Sequence, residues 1–310
     1  MDTPGDKLIA VVIPTRNRAQ ELLRLLDALC SQTFPLSKID VFVIDSSDIA
    51  SKLSLRKFYG FRKFRYLHTE MRSSAVQRNI GIDLVSKNCK FLFFLDDDVI
   101  PPKDYLDRLI ECFKDPKIVG VSGIALESPE AETRERSAFI SSYKRVFGLE
   151  SSRQGSVLKS GISIPVKMNS MGAHESEWLI GCAAWRYSAI GRVRFEWDFK
   201  GYSLGEDVLF SIKMSRRGRL VTLPSVILRH PKSSNGRPSQ KHFWKYWMVY
   251  RWRVCQAQDL NFISRAFYYW WATLGQIGIL FFLRVRNGKS TKGSLIGLFR
   301  GGLEVLGLIK

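Results

Sequence analysis

Hydrophobic residues come first in short unbroken runs, then at helical spacing, and the two patterns alternate along the first two-thirds of the chain. Leu8 to Ile13 (LIAVVI) is an apolar, β-branched run closed by Pro14, which predicts a strand buried on both faces. From Gln20 to Cys30 the apolar positions are 22, 23, 25, 26 and 29, the stripe of an amphipathic helix. Further strands are predicted at Ile39 to Ile44, Phe64 to Leu67, Phe91 to Leu95 and Ile118 to Ile124, with helices at Ser73 to Val85 and Tyr105 to Phe113. Such alternation predicts an α/β fold with a doubly wound, mixed but mostly parallel sheet flanked by helices. Glu127 to Ser176 is polar and weakly periodic, and reads as an insertion or a mobile acceptor-side region. Beyond it lie an apolar segment (Trp178 to Trp185), a helix (Asp207 to Arg216) and a strand from Leu220 to Leu228 broken at Pro224.

After Pro231 the pattern changes. Lys241 to Arg253 (KHFWKYWMVYRWR) interleaves aromatic and basic residues, and Ala266 to Leu283 is eighteen residues without a charge. As a helix that stretch would be roughly 27 Å long, the lower edge of what crosses a bilayer. Gly275, Gln276 and Gly278 weaken a spanning reading, while clustered aromatics and the cations Arg284, Arg286 and Lys289 suit a helix lying in a membrane interface. The expected organisation is therefore a domain over 1–231, containing 127–176 as its insertion, and a helical, membrane-associating appendage over 232–310.

Charge sharpens this division. The chain carries a formal net charge of +19, and from Pro231 onward thirteen Lys or Arg face two acids, Asp259 and Glu304. A polyanionic partner is expected: nucleic acid, anionic lipid or a phosphorylated substrate. No nucleic-acid motif accompanies the basic residues, so lipid and phosphate are preferred. Five widely spaced cysteines without a CxxC pair argue against a disulfide framework or zinc site and for a reducing compartment. Met1 to Lys7 lacks the basic start and apolar run of a signal peptide, which makes the cytosol the default.

Ligands of open α/β sheets bind beyond the carboxyl ends of strands. Three predicted strands end in polar sequence: Pro14-Thr15-Arg16-Asn17-Arg18, Asp45-Ser46-Ser47-Asp48 and Asp96-Asp97-Asp98. Adjacent carboxylates repel unless a cation neutralises them, and Mg²⁺ or Mn²⁺ would do so while bridging to phosphate. Neither GxGxxG nor GxxxxGK[ST] is present, so phosphate must be met by metal and by cationic side chains, with Arg16, Arg18 and Arg78 as candidates. Gly205-Glu206-Asp207 opens a helix, where Asp207 could stay ionised and act as a general base. His230, at a strand end, could complete the metal shell.

In this order VVIPTRNR (Val11 to Arg18), VIDSSD (Val43 to Asp48), SSAVQRNIG (Ser73 to Gly81), FLDDDV (Phe94 to Val99), GCAAWRYSAIG (Gly181 to Gly191) and GEDVLF (Gly205 to Phe210) resemble the inverting family 2 glycosyltransferases of the GT-A fold. The resemblance covers about residues 8–231. It implies that Pro14 and Thr15 border a nucleotide base and that Asp45 hydrogen-bonds it, with Arg78 near the base or diphosphate. Asp96 and Asp98 would be the DxD pair, Asp98 the direct metal ligand, and Asp96 or Asp97 the ribose side. Asp207 would be the catalytic base, Glu206 an aid to acceptor positioning, and His230 a metal-side residue. VIDSSD departs from the family's commoner second motif and leaves Ser46 and Ser47 without a role. Cys182-Ala183-Ala184 stands where a more polar stretch is frequent.

The implied activity is transfer of a hexosyl or deoxyhexosyl group from a nucleotide-diphosphate sugar to a hydroxyl of a glycan or lipid-linked acceptor, at the cytoplasmic face of the cell membrane. Two alternatives use the same features: a metal-dependent nucleotidyltransferase, and a non-catalytic membrane or nucleic-acid adaptor. The oligomeric state leaves no trace in the sequence.

Overall fold

The computed structural model describes residues 8–49, 60–126, 138–196, 204–231, 239–287 and 291–309. The predicted Met1 to Lys7 start and residues 127–137 of the predicted insertion lie outside them. The chain divides into two compact units. One holds the described residues of Met1–Thr133, Val166–Gly201 and Glu206–Asn235; the other holds those of Arg134–Pro165, Tyr202–Gly205 and Gly236–Lys310. The sequence division at residue 231 had kept 134–165 with the first domain.

In the first unit the continuous apolar runs form the middle of a sheet. Strands β1 (Ile9–Thr15) and β2 (Ile39–Asp45) are buried at every position. β3 (Lys63–His68) is the exposed edge strand, and β4 (Phe91–Phe94) is wholly buried. They are joined by β5 (Ile118–Leu126), β6 (His174–Ser176), β7 (Ala183–Arg186) and β8 (Arg219–Arg229), in the order β3-β2-β1-β4-β7-β5-β8-β6. β7 runs antiparallel between β4 and β5, and β6 antiparallel to β8; the other four pairings are parallel. The sheet is thus mixed and mostly parallel, as expected.

The period-2 alternation of each strand sorts the core into two layers. Ile9, Val11 and Ile13 pack with Leu22, Leu25, Leu26 and Leu29 of α1 (Ala19–Cys30) and with Leu106 and Leu109 of α3 (Tyr105–Cys112). Ala10 and Val12 face the other way, toward the cluster containing Ala75 and Ile82 of α2 (Ser74–Leu84), Ile190 of α5 (Tyr187–Ile190) and Phe210 and Met214 of α6 (Glu206–Ser215). At Gly81 a Cβ atom would come within 2.2 Å of the Val12 side chain, so α2 sits on β1 only because that residue is glycine.

Pro224 does not break its strand. β8 is continuous, and its pairing with β5 shifts between Ser122↔Thr222 and Ile124↔Ile227, a bulge that places the proline where no ladder hydrogen bond is required. Gly123 makes the bulge possible, since a Cβ there would sit 2.2 Å from the Val226 carbonyl oxygen. Gly123→Ala should therefore destabilise the first unit by about 1–3 kcal/mol, read as a lower midpoint in urea unfolding.

The second unit is helical. It comprises α4 (Ala138–Val146), α7 (Gln240–Ala257), α8 (Phe262–Asn287) and α9 (Lys292–Val305). The aromatic-basic run lies on α7, whose buried residues are Met248, Tyr250, Arg251, Val254 and Cys255. Arg251 is wholly buried. Its guanidinium lies over the rings of Trp247 and Tyr269 and donates to the carbonyls of Ser160 and Tyr269 and to Thr273 Oγ1. No described helix is long and apolar enough to cross a membrane.

Candidate active site

β1 has β2 on one side and β4 on the other, so the chain leaves the carboxyl ends of β1 and β4 in opposite directions. Such a topological switch is where open α/β sheets place their ligand crevices. The polar sequences predicted to gather there do so, linked by two hydrogen-bonded chains that meet at Asp96-Asp97-Asp98.

The first chain starts at Thr15, whose Oγ1 donates to Asp97 Oδ2 at 2.6 Å. One nitrogen of Arg18 bridges Asp97 Oδ1 (3.1 Å) and Asp98 Oδ2 (2.7 Å). The other oxygen of Asp98 lies 3.0 Å from His230 Nε2, carried in by the end of β8. Burial pushes the Asp97 carboxyl up to about 6, against the Thr15 hydrogen bond and the Arg18 charge. Asp98 behaves oppositely: burial would raise it, but the hydrogen bond and charge of His230 and the charge of Arg18 outweigh burial and hold it below its ordinary value.

The second chain crosses to α6. Arg78, buried on α2, donates to Asp96 Oδ1 at 2.5 Å and to Glu206 Oε1 at 2.7 Å, and Ser74 Oγ donates to the same Glu206 oxygen at 2.9 Å. Burial opposes the Arg78 charge, but the Asp96 and Glu206 carboxylates more than restore it and raise its pKa. Its Nε is buried without a hydrogen-bond partner. Asp207 stands next to Glu206 in the first turn of α6 and accepts the Val208 amide at 2.8 Å. Burial first, then the Glu206 charge, pushes Asp207 well up from the ordinary carboxylate range, while Arg78 pulls the other way.

Asp45 and Arg16 stand outside these two chains. Asp45 is wholly buried: one carboxylate oxygen accepts the amide and hydroxyl of Ser47, and the other accepts the Tyr66 hydroxyl. It braces the loop after β2, and Ser47, which the motif left without a role, also accepts the Asn17 amide at 2.7 Å. Asn17 has a positive φ of 54° and grips Asp48 through its side-chain amide, so loops after β1 and β2 are stitched together. Arg16 points to Asp48 on the surface and joins neither chain. Pro14 lies within β1, at its register partner Ile44.

Two positioning residues escaped the sequence reading. Gln77 donates to the carbonyls of Thr15 and Ile44, clasping the ends of β1 and β2. Cys182 lies buried beneath the triplet, its sulfur accepting the Asp96 amide at 3.3 Å. A buried glutamine within a helical motif was the one available signal for the first. All five cysteines are free thiols.

The expected metal set was Asp96, Asp98 and His230. Arg78 draws Asp96 aside, and no group of three or more His, Cys, Asp or Glu suited to an ion exists among the described residues. What remains is the Asp98–His230 pair. Adjacent ligands on an octahedral ion with bonds of about 2.1 Å stand about 3.0 Å apart, the separation seen here. This donor set fits an ion completed by substrate oxygens, not a closed protein cage.

Residues 10–178 match the sequence model "Glycosyl transferase family 2" over more than half of the chain. The chain belongs to glycosyl transferase family 2. The glycosyltransferase AglE of Haloferax volcanii is 33% identical over 103 residues, 32% of this chain and 33% of that protein. The chain thus spans about a third of that curated relative. Among solved structures, S. aureus TarS residues 1–349 with UDP-GlcNAc gives a TM-score of 0.60 at 16% identity, covering 97% of this chain and 84% of that one. The mannosyltransferase PcManGT of Pyrobaculum calidifontis, with GDP-Man and Mn²⁺, gives 0.59 at 15%, covering 98% and 91%. At these identities the structural likeness establishes the fold, which is the GT-A type anticipated for this family 2 chain.

Proposed function

We propose that this family 2 protein transfers a sugar from a nucleotide-diphosphate donor to an acceptor hydroxyl with inversion, assisted by Mg²⁺ or Mn²⁺. The observation that carries the reading is the shared carboxylate triplet. Through it, Asp98, 3.0 Å from His230 Nε2, shares a triplet with Asp96, which Arg78 ties to the acidic start of α6. The nucleotide sugars held by TarS and PcManGT, and the Mn²⁺ of the latter, support the donor class and the ion.

In this reading Asp98 and His230 would hold the divalent ion, which would supply positive charge to the leaving diphosphate. Arg18 gives the same region a second cation. Thr15 and Asp97 line the donor crevice beside the braced β1 and β2 loops, with Pro14 on the nucleotide side. Asp207 takes the proton of the acceptor hydroxyl as its oxygen bonds to the anomeric carbon. The bond from that carbon to the diphosphate oxygen breaks, and its electron pair leaves with the nucleoside diphosphate. Glu206, fixed by Arg78 and Ser74, keeps a second negative charge beside Asp207 and so sustains its basicity.

A metal-dependent nucleotidyltransferase would instead release pyrophosphate from a nucleoside triphosphate, and an adaptor would release nothing. Family membership favours the transferase. The test is release of nucleoside diphosphate from a panel of nucleotide sugars over a Mn²⁺ titration. His230→Ala should raise the Mn²⁺ needed for half-maximal release by about 10–100-fold. Pyrophosphate release, or a His230→Ala curve superimposed on wild type, would refute this assignment.

A further inference from the structure

Helix α8 is apolar on two faces; one is buried against α7, and α4 covers part of the other, where Tyr143, Phe147 and the Val146 carbonyl meet Gly278, Gly275 and Trp271. Its inner face carries Tyr269, Ala272 and Leu280, all buried, with Tyr269 and Thr273 bonded to the buried Arg251 of α7. The other face carries Ile263, Phe267, Leu274, Phe281, Phe282 and Val285, exposed by between 44% and 82%. At about 100° per residue these six fall within an arc of about 100°. A helix apolar all round belongs in a core or a membrane, and the exposed stripe runs from the second residue of α8 almost to its end. A second apolar hollow is lined by Leu295, Ile296, Phe299, Leu303 and Ile309, with Arg300 among them.

Among the described residues the exposed charges on α8 and α9 are basic, and the acid nearest α8 in sequence, Asp259, is exposed just before its start. Arg284, Lys292 and Arg300 are exposed on α8 and α9, α8 contains no acid, and the one acid of α9, Glu304, is paired with Lys245. A second copy seated on the stripe would bring like charges together, whereas an anionic lipid surface would neutralise them. We propose that the outer face of α8 is a lipid-docking surface that seats the second unit on an anionic bilayer, with α8 lying in the interface. No described helix is long and apolar enough to cross a bilayer, and drawing α8 alone into the hydrocarbon would take Tyr269 and Thr273 away from the Arg251 guanidinium. This surface lies in the second unit and does not depend on the activity assigned to the first.

The test is sedimentation of the full chain with vesicles of phosphatidylcholine alone and of phosphatidylcholine with phosphatidylglycerol in equal parts. Wild type should sediment with the anionic vesicles, less with the neutral ones, and less again at high salt. Ile263→Glu with Phe281→Glu changes only exposed positions; it should remain folded by circular dichroism and lose at least ten-fold in the bound-to-free ratio. Wild type left in the supernatant, or the double variant sedimenting like wild type, would overturn the proposal. So would a dimer in gel filtration that the double variant converts to monomer, since a second copy would then own the surface.

Discussion

Sugar transfer by Asp207→Asn should fall by about 10²–10⁴-fold, with donor binding nearly unchanged, because the amide keeps the size and the Val208 hydrogen bond while losing the basicity. The same residue, as the proposed base, should set the acid limb of the pH profile. A base must be ionised to work, and burial together with Glu206 raises the Asp207 pKa. Activity is therefore lost as pH falls through a value well above that of an ordinary carboxylate. Stability runs in the opposite sense. With the folded pKa above the unfolded one, the folded state binds the proton more tightly, so ionising Asp207 costs stability as pH rises through the raised value. Asp207→Asn avoids this cost and should melt higher than wild type at about pH 8, with the gain shrinking at about pH 5. Rates from single-turnover assays and melting curves at both pH values check the two halves. Full turnover by Asp207→Asn would remove this residue from the chemistry.

Arg78→Met should be the most damaging single change to stability. Arg78 is buried between Asp96 and Glu206, and its removal leaves two carboxylates uncompensated beside Asp207. Breaking a buried pair in this way costs about 3–5 kcal/mol, a fall in melting temperature of about 10 °C at roughly 2–4 °C per kcal/mol. Lysine should restore only part, since one ammonium cannot reproduce a guanidinium fork that reaches two acids. Combining Arg78→Met with Asp96→Asn and Glu206→Gln removes all three charges and should recover most of the stability without recovering transfer. That split between melting temperature and rate separates a network needed for catalysis from one needed only for folding.

The parts of the fold that were legible are those whose burial has a period. β1, β2 and β4 are covered on both faces and so appear as unbroken apolar runs, while α1 shows its core stripe directly. β6, three residues of His-Glu-Ser at a sheet edge, and α4, within a polar stretch and without a fully buried residue, leave no such trace. Pro224 misled because a proline forbids a ladder bond but not a bulge. The strand-end acids could be located because topology alone brings them to one edge. Which of them faces a cation was not legible: Arg18 meets Asp97 and Asp98 across 79 and 80 residues, and Arg78 meets Glu206 across 128. Such pairings are set by tertiary geometry and have no local signature. For the same reason the bonds that Asp45 accepts from Ser47 and Tyr66 leave no local sign.

Thermal unfolding with UDP-, GDP- and dTDP-sugars, each with and without Mn²⁺, probes the Asp98–His230 pair most directly, because a ligand at about a hundred times its Kd adds about 2.7 kcal/mol to the folded state. At least one donor should raise the melting temperature of wild type only when the ion is present, and Asp98→Asn should abolish that rise. A donor that stabilises wild type and Asp98→Asn equally, with or without Mn²⁺, would contradict the account.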